Sequence, residues 1–186
     1  MATAIKEKSM IHKFTGEKIT FLESSQDTNG EYEYVEMLLP PNGEGQPLHY
    51  HKHFEEQFEV LEGKLKVVKG SHSTILEAGK KLLIPKETNH VFINASSEEP
   101  VKFRIRMTPA HHFEQSMRIL YGLMEDDKTD EKGFPNDRIH IALILEMQDS
   151  HVVELPFILK LLLKWLAKKG RKKGIDQELI NRYAHQ

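Results

Sequence analysis

The sequence contains no cysteine, which excludes disulfides, thiolate metal ligands and a cysteine nucleophile. A reducing cytoplasm is the default compartment for such a composition. Charge of one sign is also scarce. Twenty-six Lys and Arg stand against 28 Asp and Glu, a formal net charge of -2, which offers no global attraction to nucleic acid and makes any basic partner-binding face a local one. No apolar run approaches the roughly 20 residues that a membrane-spanning helix needs. The most apolar stretch, 155–167, is interrupted by Lys160 and Lys164. The first ten residues carry Lys6, Glu7 and Lys8 and lack the apolar run of a secretory signal, so export is not expected. Internal repeats and low-complexity segments are missing as well.

What is present suits a soluble globular chain. At 186 residues, 39% hydrophobic and 29% charged, it fits one domain with an appendage. From about Ile19 to Met107, short apolar runs are punctuated by Gly, Pro and Asn, the texture of many short strands. Strands are expected at 32–39, 58–61, 65–68, 82–84, 91–93 and 101–107, with turns at Gly43, Gly63, Gly70, Gly79 and Asn94. In the last of these, Val101, Phe103, Ile105 and Met107 alternate with Lys102, Arg104 and Arg106. One face is buried and the other wet, as in an antiparallel sandwich or barrel. Arg104 and Arg106 therefore read as solvated rather than as an anion site.

After Pro109 the period changes. Phe113, Met117, Leu120 and Met124 recur every three or four residues and mark a helix. An acidic segment at 125–133 and Pro135 precede the block 139–147, which is open to helix or strand and reads better as helix. Pro156 fits the first turn of a third helix running to about Lys169, with Gly170 and Gly174 as stops. Asp176 is a candidate cap for a short final helix containing Leu179, Ile180 and Tyr183.

The chemistry is concentrated in two segments. On an extended strand, His49 and His51 point to one face and can chelate one ion. Glu56, five residues on, returns a carboxylate to that face if the chain reverses around 52–54. The second segment, 79–94, holds a single histidine, His90, which follows the turn at Pro85 and begins an apolar strand. His53 falls in the expected turn and reads as solvent-exposed; Tyr50, between two ligands, should point away from them. Phe58, Phe92 and Phe103 read as core that could also line a pocket. Three imidazoles and a carboxylate suit iron, manganese, nickel, copper or zinc better than calcium or magnesium.

The two segments resemble the paired motifs of the cupin family. Gly43, His49, His51, Glu56 and Gly63 match the first motif, and Gly79, Pro85, His90 and Asn94 match the second. One position departs, because Glu87 stands where the second motif has Gly, which puts the turn before His90 in question. The motif's spacing admits Glu55 as the carboxylate ligand in a shorter variant, but the six residues to Gly63 favour Glu56. The resemblance implies an antiparallel double-stranded β-helix, or jelly roll, at 19–109, between an N-terminal arm at 1–18 and a helical extension at 110–186. It implies one divalent transition metal held by His49, His51, Glu56 and His90. Asn94 and Glu55 are candidates to hold the ligand imidazoles.

An enzyme of dioxygenase-like or isomerase and cyclase type, acting on a small organic molecule, is the first functional expectation, and a homodimer is compatible with it. The alternative is a non-catalytic metal- or ligand-binding module whose extension engages a partner or a membrane surface. For that extension, 160–173 is a basic amphipathic helix with Trp165 among its leucines. Packing of this helix against the barrel is favoured over membrane contact. Nucleic-acid binding is not expected, since no helix-turn-helix candidate flanks the barrel.

Overall fold

The computed structural model describes residues 8–184. The first seven residues, on which the expectation about export partly rests, lie outside them, as does most of the arm's beginning. The strands are β1 (Ser9–Ile11), β2 (Lys18–Glu23), β3 (Glu33–Leu39), β4 (His49–Tyr50), β5 (Glu55–Glu62), β6 (Lys64–Lys69), β7 (His72–Glu77), β8 (Lys81–Ile84), β9 (His90–Asn94), β10 (Val101–Thr108) and β11 (His151–Val152). They form a six-stranded sheet, β1-β2-β3-β10-β5-β8, and a five-stranded sheet, β11-β4-β9-β6-β7. Every pairing is antiparallel.

The alternation read from the sequence builds the core. Val101, Phe103, Ile105 and Met107 of β10 are buried with Val35, Met37 and Leu39 of β3, Phe58 and Val60 of β5, Leu65 and Val67 of β6, and Phe92 of β9. Removing this apolar surface from water is the main force holding the two sheets together. On the outer face Arg104 lies opposite Glu36 in register and donates to its carboxylate at 3.0 Å. Arg106 sits over the Tyr32 ring at 3.9 Å. These arginines serve the outer face of the sheet, as the alternation requires.

Four strands, β1, β2, β7 and β11, had no sequence expectation, and the extended segment expected at His49 to His51 is the short β4, which ends at Tyr50. Strands β4 and β11 are two residues long, and β7 is an edge strand exposed along most of its length, so neither length nor alternation marks them. Through β1 and β11, segments on both flanks of 19–109 join the sheets.

Helix α1 (Phe113–Glu125) is tied to the barrel by Glu33 of β3. The buried carboxylate accepts from the backbone N–H groups of His111, Phe113 and Glu114 at 2.9, 3.2 and 3.0 Å, which satisfies donors that the first helical turn leaves unpaired. Phe113, Met117, Tyr121 and Met124 of α1 face the barrel core. Ile119 and Leu123 face a second cluster, built from Ala142, Leu143 and Ile144 of α2 (Arg138–Met147), Ala167 of α3 (Phe157–Lys172) and Leu179 of α4 (Ile175–Leu179). The block 139–147 is thus helical, capped by Asp137, which accepts from the Ile139 N–H at 2.7 Å.

Four details of the extension differ from expectation. Pro156 is not in the first turn of α3 but at its N-cap, one residue before Phe157. Gly170 is not a stop. The helix runs through it, and the missing side chain lets α2 close in, because a Cβ there would lie 2.7 Å from Ile139 Cγ2. Gly174, with φ of +74°, is the residue that ends the helix. It also takes the N-cap position of α4, which leaves Asp176 inside that helix with no capping hydrogen bond. Finally, α3 packs chiefly on α2 and α4 rather than on the barrel.

Candidate metal centre

His49 and His90 face each other directly in the β4–β9 pairing, so the pleat sends both imidazoles to the inner face, with ring centroids 4.3 Å apart. Glu56 comes from β5 in the opposite sheet, and His51 from the connection between β4 and β5. The four side chains therefore close a site across the barrel interior, where all are buried. One donor atom from each lies within 4.8 Å of all the others.

Orientation is set by backbone carbonyls. His49 Nδ1 donates to the Pro47 carbonyl at 2.7 Å, His90 Nδ1 to that of Thr88 at 2.9 Å, and His51 Nδ1 to that of Asp149 at 3.1 Å. With each Nδ1 committed as a donor, each Nε2 carries a free lone pair. These lone pairs converge. His49 Nε2 and His51 Nε2 stand 3.1 Å apart, a contact between two acceptors that a proton or cation must bridge. His90 Nε2 approaches Glu56 Oε2 at 2.8 Å, yet both atoms are buried without a hydrogen bond of proper geometry. Buried polar atoms left in this state are costly, and one cation among the four donors satisfies all of them. The residues present fit a first-row transition ion.

The electrostatics point the same way. Burial, reinforced by the neighbouring imidazoles, lowers His49 to about 3, and burial also lowers His51. Burial would pull His90 down too, but the Glu56 carboxylate outweighs it and raises that pKa. For Glu56 burial acts upward, while the imidazoles of His51, His90 and His49 prevail and bring its carboxyl to about 2. At neutral pH the site offers an ionised carboxylate and neutral His49 and His51, the protonation states that metal ligation requires.

Several neighbours fall where the sequence puts them and others do not. Tyr50 points away and stacks on His151 at 4.9 Å. His53 is exposed and places its Nδ1 3.0 Å from Asp149 Oδ1. Phe58, Phe92 and Phe103 pack on one another in the core. Glu55 lies outside the donor cluster, because adjacent strand residues face opposite ways. Asn94 does not hold a ligand imidazole. Its amide donates to the carbonyls of Pro40 and Glu99 at 2.8 and 2.9 Å and its oxygen accepts from the Ser96 N–H, so it ties two loops at the far end of the barrel. At the departing motif position Glu87 adopts the left-handed conformation anyway, with φ of +59°, and donates its N–H to the His51 carbonyl at 2.7 Å. The turn is kept at the cost of strain that Gly would not carry.

Two functional residues had no sequence expectation. Asp149, with φ of +48°, lies 98 residues beyond His51. Its carbonyl holds the His51 ring, and its carboxylate accepts from the N–H groups of Lys52 and His53 at 2.5 and 2.7 Å. This carboxylate secures the reversal that brings Glu56 back. Gln46 accepts from Ser150 at 2.9 Å and donates to Gln148 at 3.1 Å, and β11 pairs with β4, so the whole segment 148–152 is fastened beside the ligands. Glu17 is the second. It lines a cavity of about 50 Å³ together with His49, His51 and Glu56, among Met37, Phe92, Ile105 and Met117. Burial raises its pKa despite the hydrogen bond it accepts from Tyr121 at 2.9 Å. The polar run Gln148 to Ser150 between two apolar helices was the available signal for Asp149; Glu17 had none.

Residues 35–106 match the family model of the cupin domain. This segment of the barrel is a cupin domain. Among solved structures, the chain resembles a predicted oxalate decarboxylase from Thermotoga maritima, with 18% identity over 50% of this chain and 80% of that one and a TM-score of 0.47. A sugar phosphate isomerase of the cupin superfamily from Silicibacter pomeroyi shares 19% identity over 55% and 71% of the two chains, at a TM-score of 0.48. An RmlC-like cupin from Shewanella frigidimarina shares 20% over 57% and 89%, at 0.47. Comparison with curated proteins finds no match. None of these neighbours sets a reaction for this cupin.

Proposed function

We propose that this cupin binds one divalent first-row transition ion through His49, His51, Glu56 and His90 and uses it to transform a small organic molecule, in oxygenase-like or isomerase-like chemistry. The observation that carries the reading is the convergence of three Nε2 lone pairs, each fixed by a carbonyl behind it, on a carboxylate oxygen without a hydrogen-bond partner. A bound ion of this kind supplies Lewis acidity and open coordination positions.

The chain's own residues do the rest. Apolar side chains of Met37, Phe92, Ile105 and Met117 line the cavity and, by lowering the local dielectric, strengthen the polar interactions inside it. Glu17 shares that cavity and, with its pKa raised by burial, is the group proposed to take or give a proton. Tyr121 holds one of its oxygens. A cavity of about 50 Å³ accommodates only a few water-sized groups beside an ion, so the substrate proposed has few non-hydrogen atoms. The same small volume favours a second reading, a binding module that holds its ion without turnover.

Metal analysis of the purified and reloaded protein tests the core of the proposal, with one transition ion per chain expected. A protein that stays metal-free after reloading overturns both readings. A substrate screen of the loaded protein under aerobic and anaerobic conditions, run beside Glu17→Gln, separates them. Turnover that Glu17→Gln lowers without changing metal content supports the enzyme, and no turnover supports the module.

A further inference from the structure

Helix α3 has two unlike sides. Leu163, Leu166, Ala167 and Gly170 face α2 and the second core cluster. At about 100° per residue, Phe157, Ile158, Leu161, Leu162 and Trp165 fall together on the other side, and among the described residues nothing covers them. Phe157 is 73% exposed, Ile158 77%, Leu161 50% and Trp165 55%. A row of large apolar side chains this open is uncommon on a folded chain unless something docks there.

The charge around that row identifies the occupant. No Asp or Glu occurs from 155 to 175, whereas Lys160, Lys164, Lys168, Lys169, Arg171, Lys172 and Lys173 do, in a chain whose net charge is -2. Arg171 pairs with Glu146 and Lys160 donates to the Val153 carbonyl. Lys164, Lys168 and Lys172 are exposed, and Lys169 lies 4.9 Å from the centre of the Trp165 ring. The exposed side is thus apolar over its first turns and cationic over its last. A second copy of the chain would bring its own lysines into the contact and oppose it. An anionic lipid surface accepts both parts, the apolar side chains entering the acyl boundary and the lysines meeting the headgroups.

We propose that α3 docks this protein on the anionic face of a lipid bilayer, lying in the interface rather than spanning it. No helix among the described residues is long and apolar enough to cross a membrane, and the packing of α3 on α2 leaves the docking side free without unfolding. The metal centre is not part of this contact, and the proposal stands apart from the reading of that site.

Trp165 is the only tryptophan and reports on its own surroundings. With vesicles of mixed phosphatidylglycerol and phosphatidylcholine at low ionic strength, its emission should shift to the blue and the full-length protein should co-sediment. With phosphatidylcholine alone neither should occur, and high salt should weaken the anionic binding. Replacing Lys164 and Lys168 by Ala should lower the partition coefficient about thirty-fold. Phe157→Ser with Ile158→Ser should lower it at least about tenfold, with an unchanged circular dichroism spectrum and Tm as the control for folding. Absence of binding to anionic vesicles overturns the proposal, as does equal binding to neutral ones. A blue-shifted Trp165 without lipid, accompanied by a dimer mass in light scattering, also overturns it and assigns the face to a second copy.

Discussion

The donors of the metal centre are side chains of the barrel, whereas the groups that aim its imidazoles are main-chain carbonyls, two of them local and one from a distant segment. His49, His51, Glu56 and His90 lie within the barrel, on or beside the paired strands β4 and β9 and on β5 of the opposite sheet, and their side chains have recognisable spacing. The groups behind them are main-chain carbonyls of Pro47 and Thr88, two residues from the ring each holds, and of Asp149, 98 residues away. The side chains decide which atoms bind and the carbonyls decide where they point. Ligand identity is therefore a side-chain property, while ligand geometry here is a backbone property.

Mutation can break that division. His49→Ala with His51→Ala should produce the largest effect, a fall in metal content from one ion per chain to nearly none in elemental analysis. Retained stoichiometry would place the ion elsewhere. Asp149→Ala should act next. It removes the carboxylate that organises Lys52 and His53 and disfavours the left-handed backbone that presents the carbonyl to His51, so metal affinity should fall about 10- to 100-fold with stoichiometry at saturation unchanged. Asp149→Asn, which tolerates that backbone and keeps an acceptor, should lose less. Equal affinities in a competition titration against a chelator would show that the distant segment is only packing.

Acidity acts on the donors themselves. In the metal-free fold His49 is held at about 3 against 6.5, and Glu56 at about 2 against 4.5. Over those intervals the folded chain binds fewer protons at these sites than the unfolded chain, so stability falls as pH falls. For His49 the loss spans about pH 6.5 to 3, and Glu56 adds to it below about 4.5. Urea unfolding of the metal-free protein should show the loss on acidification, and His49→Ala should flatten it. The smallest effect is expected at Glu87. Glu87→Gly relieves a left-handed residue and should stabilise by about 1 kcal/mol, a rise in Tm of about 2–4 °C for a chain of this size, with metal content unaltered. A fall in Tm would mean that the exposed side chain contributes something the turn does not explain.

The same division explains what was legible beforehand. Strands with buried alternating residues, such as β3 and β10, announce themselves because burial dictates their composition. Strands β4 and β11 are too short to carry a pattern, and β7 is too exposed to need one. Glycine misled at 170, where the residue serves a close helix contact rather than a helix end, since both uses require the absence of Cβ and the letter does not say which. Asn94 matched its motif but holds loops together, a role that spacing alone does not distinguish from a hold on a ligand. Glu17 stayed hidden because its importance comes from the cavity it reaches, and a cavity is a property of packing among residues remote in sequence. The apolar side of α3 was visible as composition, but whether the helix buried or exposed it depended on which of its sides α2 would take.

The position of Asp149 also bears on how the protein is made. Chains emerge from the ribosome N-terminus first, and folding can begin before synthesis ends. All four donors are out well before residue 149, so a nascent barrel carries a complete set of ligand side chains while the His51 ring still lacks the carbonyl that sets its tautomer. On the proposed metal-binding reading, full affinity for the ion is reached only once the segment after α2 has arrived and β11 has paired with β4. On that reading, a chain that holds its ion at full affinity is one whose extension has been translated and docked, and the His51 to Asp149 hydrogen bond ties the affinity of the site to completed assembly.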